Sequence, residues 1–299
     1  MRIFRKLAEL VILCMALATG TTSAQAQQCT LSSGEQARFE SEHLFGGRPT
    51  SGPILVRRAY VTQYDSVHRV PKWVAWRAAQ DIRATLTRQG AWASFRTDPD
   101  IVYPVTDDDY DGIYDNGRGY ARGHIAPYFI SGGDRNSNGR HAVDDIFDAC
   151  TVYEVNYMSN IAPQLHNRFN GSGGLWYKLE TIERQQLMPR GLVLHIIAGT
   201  IFGSGPAHIG PSGNVGIPDM FYRILVTDRG VVPFLFVHGR RLGSAGCELD
   251  AELESCIVPV KEIEDLTGSD FFSALDEGAE QALEGADGLA NWHAILGGN

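Results

Sequence analysis

Between Gly119 and Arg184 the chain carries a histidine in Arg122-Gly123-His124, several carboxamides, a carboxylate at Glu180 and arginines at both ends. Histidine titrates nearest neutral pH and can take a proton from water. Asn and Glu oxygens suit a hard ion such as Mg²⁺, and arginine meets phosphate oxygens with a two-pronged donor. That set of groups can build a metal site beside a phosphate. Glu180 and Arg184 are four residues apart, so a helix through Trp176-Tyr177-Lys178-Leu179-Glu180 sets both on one face.

Three motifs follow in order: Ala121-Arg122-Gly123-His124, Asn160-Ile161-Ala162-Pro163-Gln164, and Asn170 ahead of Trp176-Tyr177-Lys178-Leu179-Glu180. Together they are far more specific than a lone Arg-Gly-His. They resemble the DNA/RNA non-specific endonucleases of the ββα-metal type, which include secreted bacterial nucleases and mitochondrial endonuclease G. The resemblance runs from Ile54 to Leu275. It implies an α+β fold, a central antiparallel sheet flanked by helices, and hydrolysis of phosphodiester bonds in DNA and RNA. It also implies roles: His124 as general base, one Mg²⁺ or Mn²⁺ with Asn170 as its direct ligand, and Glu180 ordering the metal's waters. Arg57, from Arg57-Arg58-Ala59-Tyr60, and Arg184 then grip phosphate, with Arg122 supporting the same site. Contacts to phosphate rather than base edges imply little sequence preference. Ala121 departs from the family's Asp, and the chain around Asn170 is slightly longer than the family's, which keeps Asn167 as an alternative ligand. A calcium-stabilised binding protein that kept the fold and lost activity is the competing reading.

Residues 1–26 read as a signal peptide, with Arg2, Arg5 and Lys6 before the apolar run Leu10–Ala18 and a small-residue site at Ala24-Gln25-Ala26. The mature chain, 27–299, is then expected to be one nuclease domain, secreted or periplasmic. Formal charge is −9, yet residues 248–299 hold thirteen acidic residues and one lysine, so the body is near balance. An acidic chain is a poor general binder of nucleic acid, so a substrate groove must be locally basic. The acidic segment reads as a solvated helical surface. Cys29, Cys150, Cys247 and Cys256 are an even set after the signal, which fits two disulfides. Closeness in sequence favours Cys247–Cys256, leaving Cys29–Cys150.

Residues 54–60 and Trp73–Trp76 read as two strands joined by a polar turn over Gln63–Lys72. Val152–Asn160 reads as a strand delivering the Asn-x-x-Pro-Gln turn. Gly191–Gly199 reads as a buried strand with His195 packed inside it, and Ile217–Val226 with Val231–Val237 as a hairpin about Asp228-Arg229-Gly230. Trp176 and Leu179 should face inward from their helix, and Val258–Gly268, followed by Phe271-Phe272, resembles the family's closing helix. Two loops have the alternating oxygens of a calcium site. The first, Asp107–Gly112, has Arg118 where a closing carboxylate belongs. The second offers Asp134, Asn136, Asn138 and, at its twelfth position, Asp145 for a structural Ca²⁺.

Overall fold

A computed structural model describes residues 29–83, 86–115, 118–140 and 145–297. The expected signal peptide, 1–26, lies outside them. Helix α1 (Ser33–His43) comes first, then strands β1 (Leu55–Val56), β2 (Val61–Asp65), β3 (Val70–Ala78), β4 (Tyr114–Asp115) and β5 (Arg118–His124). Helix α2 (Ile146–Val155), strand β6 (Ile161–Leu165) and helix α3 (Leu175–Ile182) follow. Strands β7 (Leu194–Ile201), β8 (His208–Ile209), β9 (Val215–Gly216), β10 (Met220–Thr227) and β11 (Gly230–Val237) precede α4 (Val260–Thr267), α5 (Glu277–Glu284) and α6 (Gly288–Gly297).

The main sheet is antiparallel throughout, in the order β1-β2-β3-β7-β10-β11. Side chains alternate across it with the period of two that strands impose. Phe221 and Leu225 of β10 join one core with Trp76, Trp176, Leu179 and Phe169. Met220, Tyr222 and Ile224 join the other, under α4 and Phe271. β5 and β6 pair antiparallel outside the main sheet, with β4 beyond β5. They lie on the first face, and the chain passes from β6 through a tight turn directly into α3. Two strands and a helix thus converge where the motifs fall.

Several local expectations give way. The strand expected over 54–60 ends at Val56, because the Arg57 amide bonds to the Tyr60 carbonyl at 2.8 Å and bends the chain. The hairpin is β2–β3, turned at residues 66–69, where Asp65 Oδ1 accepts from the amides of Val67 and His68. Val152–Val155 belongs to α2, not to a strand. Asp145 starts that helix by accepting from the Phe147 and Asp148 amides, and a disulfide ties Cys150 to Cys29. Its apolar run reflects a helix buried on most sides, and the strand waits until Ile161. The second disulfide joins Cys247 to Cys256. His195 is half-buried beside Phe45 and lines an open groove with Arg190 and Arg229, so it is not a core residue. The acidic segment is also more than a solvated surface. Trp292 and Ile295 of α6 are fully buried, with the indole edge-on to Phe234 at 5.2 Å. No helix among the described residues is long and apolar enough to cross a membrane.

Candidate active site

His124 is the last residue of β5 and lies opposite Ile161 of β6. The pairing is tight one residue earlier. A Cβ on Gly123 would fall 2.1 Å from Gln164 Oε1, so only glycine lets the carboxamide of Gln164 lie across β5. That same oxygen accepts from Asn170 Nδ2 at 2.6 Å. Asn170 is thereby tied to β6, the strand paired with the one that carries His124, and its Oδ1 is turned away from Gln164. Asn160 has a different task. Its carboxamide bonds the Ala126 amide and the Ala126 and Val155 carbonyls, each at 2.9 Å, so it is spent on holding the chain after His124.

The histidine itself is buried, with one ring nitrogen accounted for. His124 Nε2 is 3.1 Å from Asn156 Oδ1. Asn156 Nδ2 donates to the carbonyls of Trp92, at 3.0 Å, and Val152, at 3.2 Å, which fixes which end of the carboxamide is oxygen. Nε2 must then carry the proton, and Nδ1 is the basic nitrogen. Burial pushes the imidazole pKa down to about 3, helped by the nearby Arg88 charge and opposed by the Asn156 bond. His124 is therefore neutral, the form a base requires, throughout the physiological range.

Helix α3 supplies the carboxylate. Trp176 and Leu179 face inward as expected, and Trp176 Nε1 donates to Glu180 Oε1 at 3.0 Å. Burial raises the Glu180 pKa, against the opposing pull of Arg223 and Arg184. Arg184 Nη2 donates to Thr181 Oγ1 at 3.1 Å, and its guanidinium lies 5.4 Å from the Tyr177 ring. It stands beside Glu180 on the same helical edge.

A strand pair ending in His124 and flowing into a helix with Glu180 is therefore the local architecture. The pattern of the DNA/RNA non-specific endonuclease family matches residues 46–278. The chain belongs to that family. A nuclease of Nostoc sp. (strain PCC 7120) is 27% identical over 285 residues, covering 90% of this chain and 94% of that one. A nuclease of Serratia marcescens is 26% identical over 298 residues, covering 92% and 94%. In fold, the chain is similar to one in the crystal structure of the EndoG/EndoGI complex, with a TM-score of 0.60 at 20% identity over 83% of this chain and 95% of that one. The protein is a hydrolase acting as an endonuclease, on an α+β fold.

Within this endonuclease the arginines divide sharply. Arg57 is buried, with both terminal nitrogens paired: Nη2 meets Asp98 at 2.6 Å and Nη1 meets Asp100 at 2.8 Å, while Nε has no hydrogen-bond partner among the described residues. Asp98 also accepts from Ser159. Arg57 thus braces the Met158–Asn160 turn through its two terminal nitrogens. Arg58, on the opposite side of the bend, pairs with buried Glu154. Arg122 pairs with Asp107 at 2.5 Å and reaches Asp111 at 3.5 Å. The first calcium-like loop is therefore a partner for Arg122, and Asp109 of that loop closes back on Thr106. In the second loop, Asp145 Oδ2 accepts from Asn136 at 2.5 Å and Asn138 at 3.3 Å, while Asp134 accepts from the Asn138 and Gly139 amides. The four named residues are bonded to one another across this loop, and Asp145 caps α2; residues 141–144 lie outside the described set.

Asn167 is exposed and lines a different cavity, of about 490 Å³, with His238 and Glu248. Of the two candidate ligands, Asn170 is the one bonded to the β5–β6 pair. Sequence reasoning missed Asn156, Arg88 and Arg223. Asn156 stands four residues before Asn160, a spacing that could have flagged it. Arg88 is exposed, with its guanidinium 4.9 Å from the Phe95 ring, which itself lies 5.3 Å from His124. Tyr128 faces the same charge, with its ring 5.4 Å from the guanidinium. Nothing in the local pattern near Arg223 marks it.

Proposed function

We propose that this endonuclease is an exported enzyme that hydrolyses phosphodiester bonds of DNA and RNA, with His124 as general base and a divalent metal at Asn170 and Glu180. The observation that carries the reading is the Asn156–His124 hydrogen bond, which leaves Nδ1 of a neutral imidazole as proton acceptor. Hydrolysis needs a water deprotonated in line with the leaving oxygen and cations to meet charge on the phosphate. Nδ1 takes the water's proton, and Asn156 holds the ring at the right angle through Nε2–H. Arg88 and Arg184, which are not consumed by carboxylates, bind phosphate oxygens; Arg57 does not share this role. Arg122, neutralised by Asp107 and Asp111, orients the strand end.

The donor set fits a hard ion. Asn170 Oδ1 and the Glu180 carboxylate are oxygen ligands of the kind Mg²⁺ or Mn²⁺ takes, mostly through water in the case of Glu180. When bound, such an ion acts as a Lewis acid on the phosphate and stabilises the departing oxygen. Export is supported by the N-terminal pattern of residues 1–26 and by the two disulfides. The test is degradation of plasmid and of RNA by the purified protein and by His124→Ala, each with and without EDTA. Loss of cleavage in the variant by about 10²–10⁴-fold is expected, with fold retained. Near-normal turnover in His124→Ala would overturn the mechanism.

A further inference from the structure

Arg223 is fully buried from solvent. It projects from the middle of β10 and lies between two indoles, 4.8 Å from the ring of Trp76 and 4.8 Å from that of Trp176. Nη2 bonds to Glu183, which is also fully buried. Nη1 lies 3.8 Å from Glu180 Oε1, the oxygen that accepts from Trp176 Nε1. Burying a cation costs several kcal/mol unless partners compensate it, and replacing Arg223 and Glu183 by apolar residues would avoid that cost. Glu183 alone would balance the charge. What the arrangement adds is position: Glu183 holds one prong of the guanidinium, the two indoles flank it, and the other prong, which has no hydrogen bond of its own to the described residues, stands 3.8 Å from Glu180.

We infer that Arg223, anchored by Glu183, is a positioning residue that holds the Glu180 carboxylate toward the scissile phosphate. The inference rests on the reading of Glu180 as an orienter of metal-bound water. Groups that orient metal ligands through a second layer of contacts typically govern affinity or activity by about 10–100-fold. Arg223 touches no substrate, so its effect must pass through Glu180 alone.

That condition makes a coupling experiment decisive. The double variant Arg223→Met/Glu183→Gln removes the ion pair without leaving an unpaired charge in the core, and Arg223→Lys keeps the charge while losing the planar fork. Each is made in the wild type and in Glu180→Gln, with folding followed by thermal melts, plasmid cleavage by kcat and KM, and Mn²⁺ binding by calorimetry. The expected result is a fall in kcat of about 10–100-fold in the double variant, with KM for DNA unchanged and Mn²⁺ binding weakened. In the Glu180→Gln background neither change should reduce activity further. Additive losses in that background would show a merely structural role and overturn the inference, as would wild-type kcat and Mn²⁺ binding in the double variant. Should the double variant fail to fold, the same coupling is read from Arg223→Lys. If Glu180→Gln itself has wild-type activity, the reading of Glu180 fails instead, a result separable from the others.

Discussion

At the scale of single residues, what each side chain is bonded to decides its chemistry more than its type does. Arg57 and Arg88 are both arginines near the site, yet Asp98 and Asp100 occupy the first while aromatic rings support the second. Arg57→Ala should strip a buried carboxylate of its partner and lower stability by about 3–5 kcal/mol in urea unfolding. Arg88→Ala should leave that stability unchanged and reduce kcat/KM about tenfold, with a shallower dependence on salt because one phosphate contact is lost. A reversal of these two patterns would return the phosphate role to Arg57. The two asparagines divide in the same way. Asn170 is bonded to Gln164 beside the Gly123 backbone, whereas Asn167 faces another cavity. Asn170→Ala should therefore cost about 10–100-fold in activity, only partly restored by added Mg²⁺, with Asn167→Ala close to wild type. If Asn167→Ala proves the more damaging, the turn before α3 has been assigned three residues out of place.

At the scale of elements, patterns with a clear period were legible in the sequence and patterns shaped by distant partners were not. The β10–β11 hairpin and the buried face of α3 follow from apolar strand runs around a turn and from helical spacing, and the closing helix α4 was legible through the family resemblance. The three motifs likewise marked His124, Asn170 and Glu180 because their chemistry is local. Val152–Val155 misled because a helix buried on most sides has a strand's composition, and its true start depends on Asp145, well upstream. Arg88, Arg223 and the pairing of Arg57 depend on contacts between remote segments, which no local pattern encodes. Helix α6 is the same case: acidic neighbours suggest a solvated tail, but Trp292 is seated against Phe234, and Asn291 Nδ2 donates to the Val231 carbonyl at 3.0 Å. Trp292→Ala should cost about 3–5 kcal/mol, as large-to-small changes of buried aromatics do. The melting temperature would report it, and cleavage well below that temperature should persist. An unchanged melting temperature would mean that α6 does not hold this position.

At the scale of the molecule, the sheet divides the acidic segment. Helices α4 and α5 cover one face, while α6 packs with α3 and the β5–β6 pair on the other, where Glu252 and Glu254 line a groove with Tyr177 and Lys178 of α3. The interior also stores a dependence on pH. Burial holds three histidines neutral, His43 and His124 with pKa values near about 3 and His238 at about 4, against an ordinary value of 6.5. Between those values the unfolded chain binds more protons than the folded one, so stability must fall as pH drops through this range. Each histidine contributes at most about 1.4 kcal/mol per pH unit. Glu183 acts in the opposite sense: burial raises its carboxyl from 4.5 to about 7, so the folded protein binds the extra proton and this group favours the fold as pH falls from 7 toward 4.5. Burial raises the Glu154 and Glu180 carboxyls in the same sense as Glu183, and it lowers His195 in the same sense as the other three histidines; the histidines are expected to dominate between pH 6.5 and 5, where the unfolded imidazoles take up their protons. Urea unfolding midpoints should decline from pH 7 to pH 5. Midpoints that stay level over that interval would show that these histidines are not held neutral by the fold.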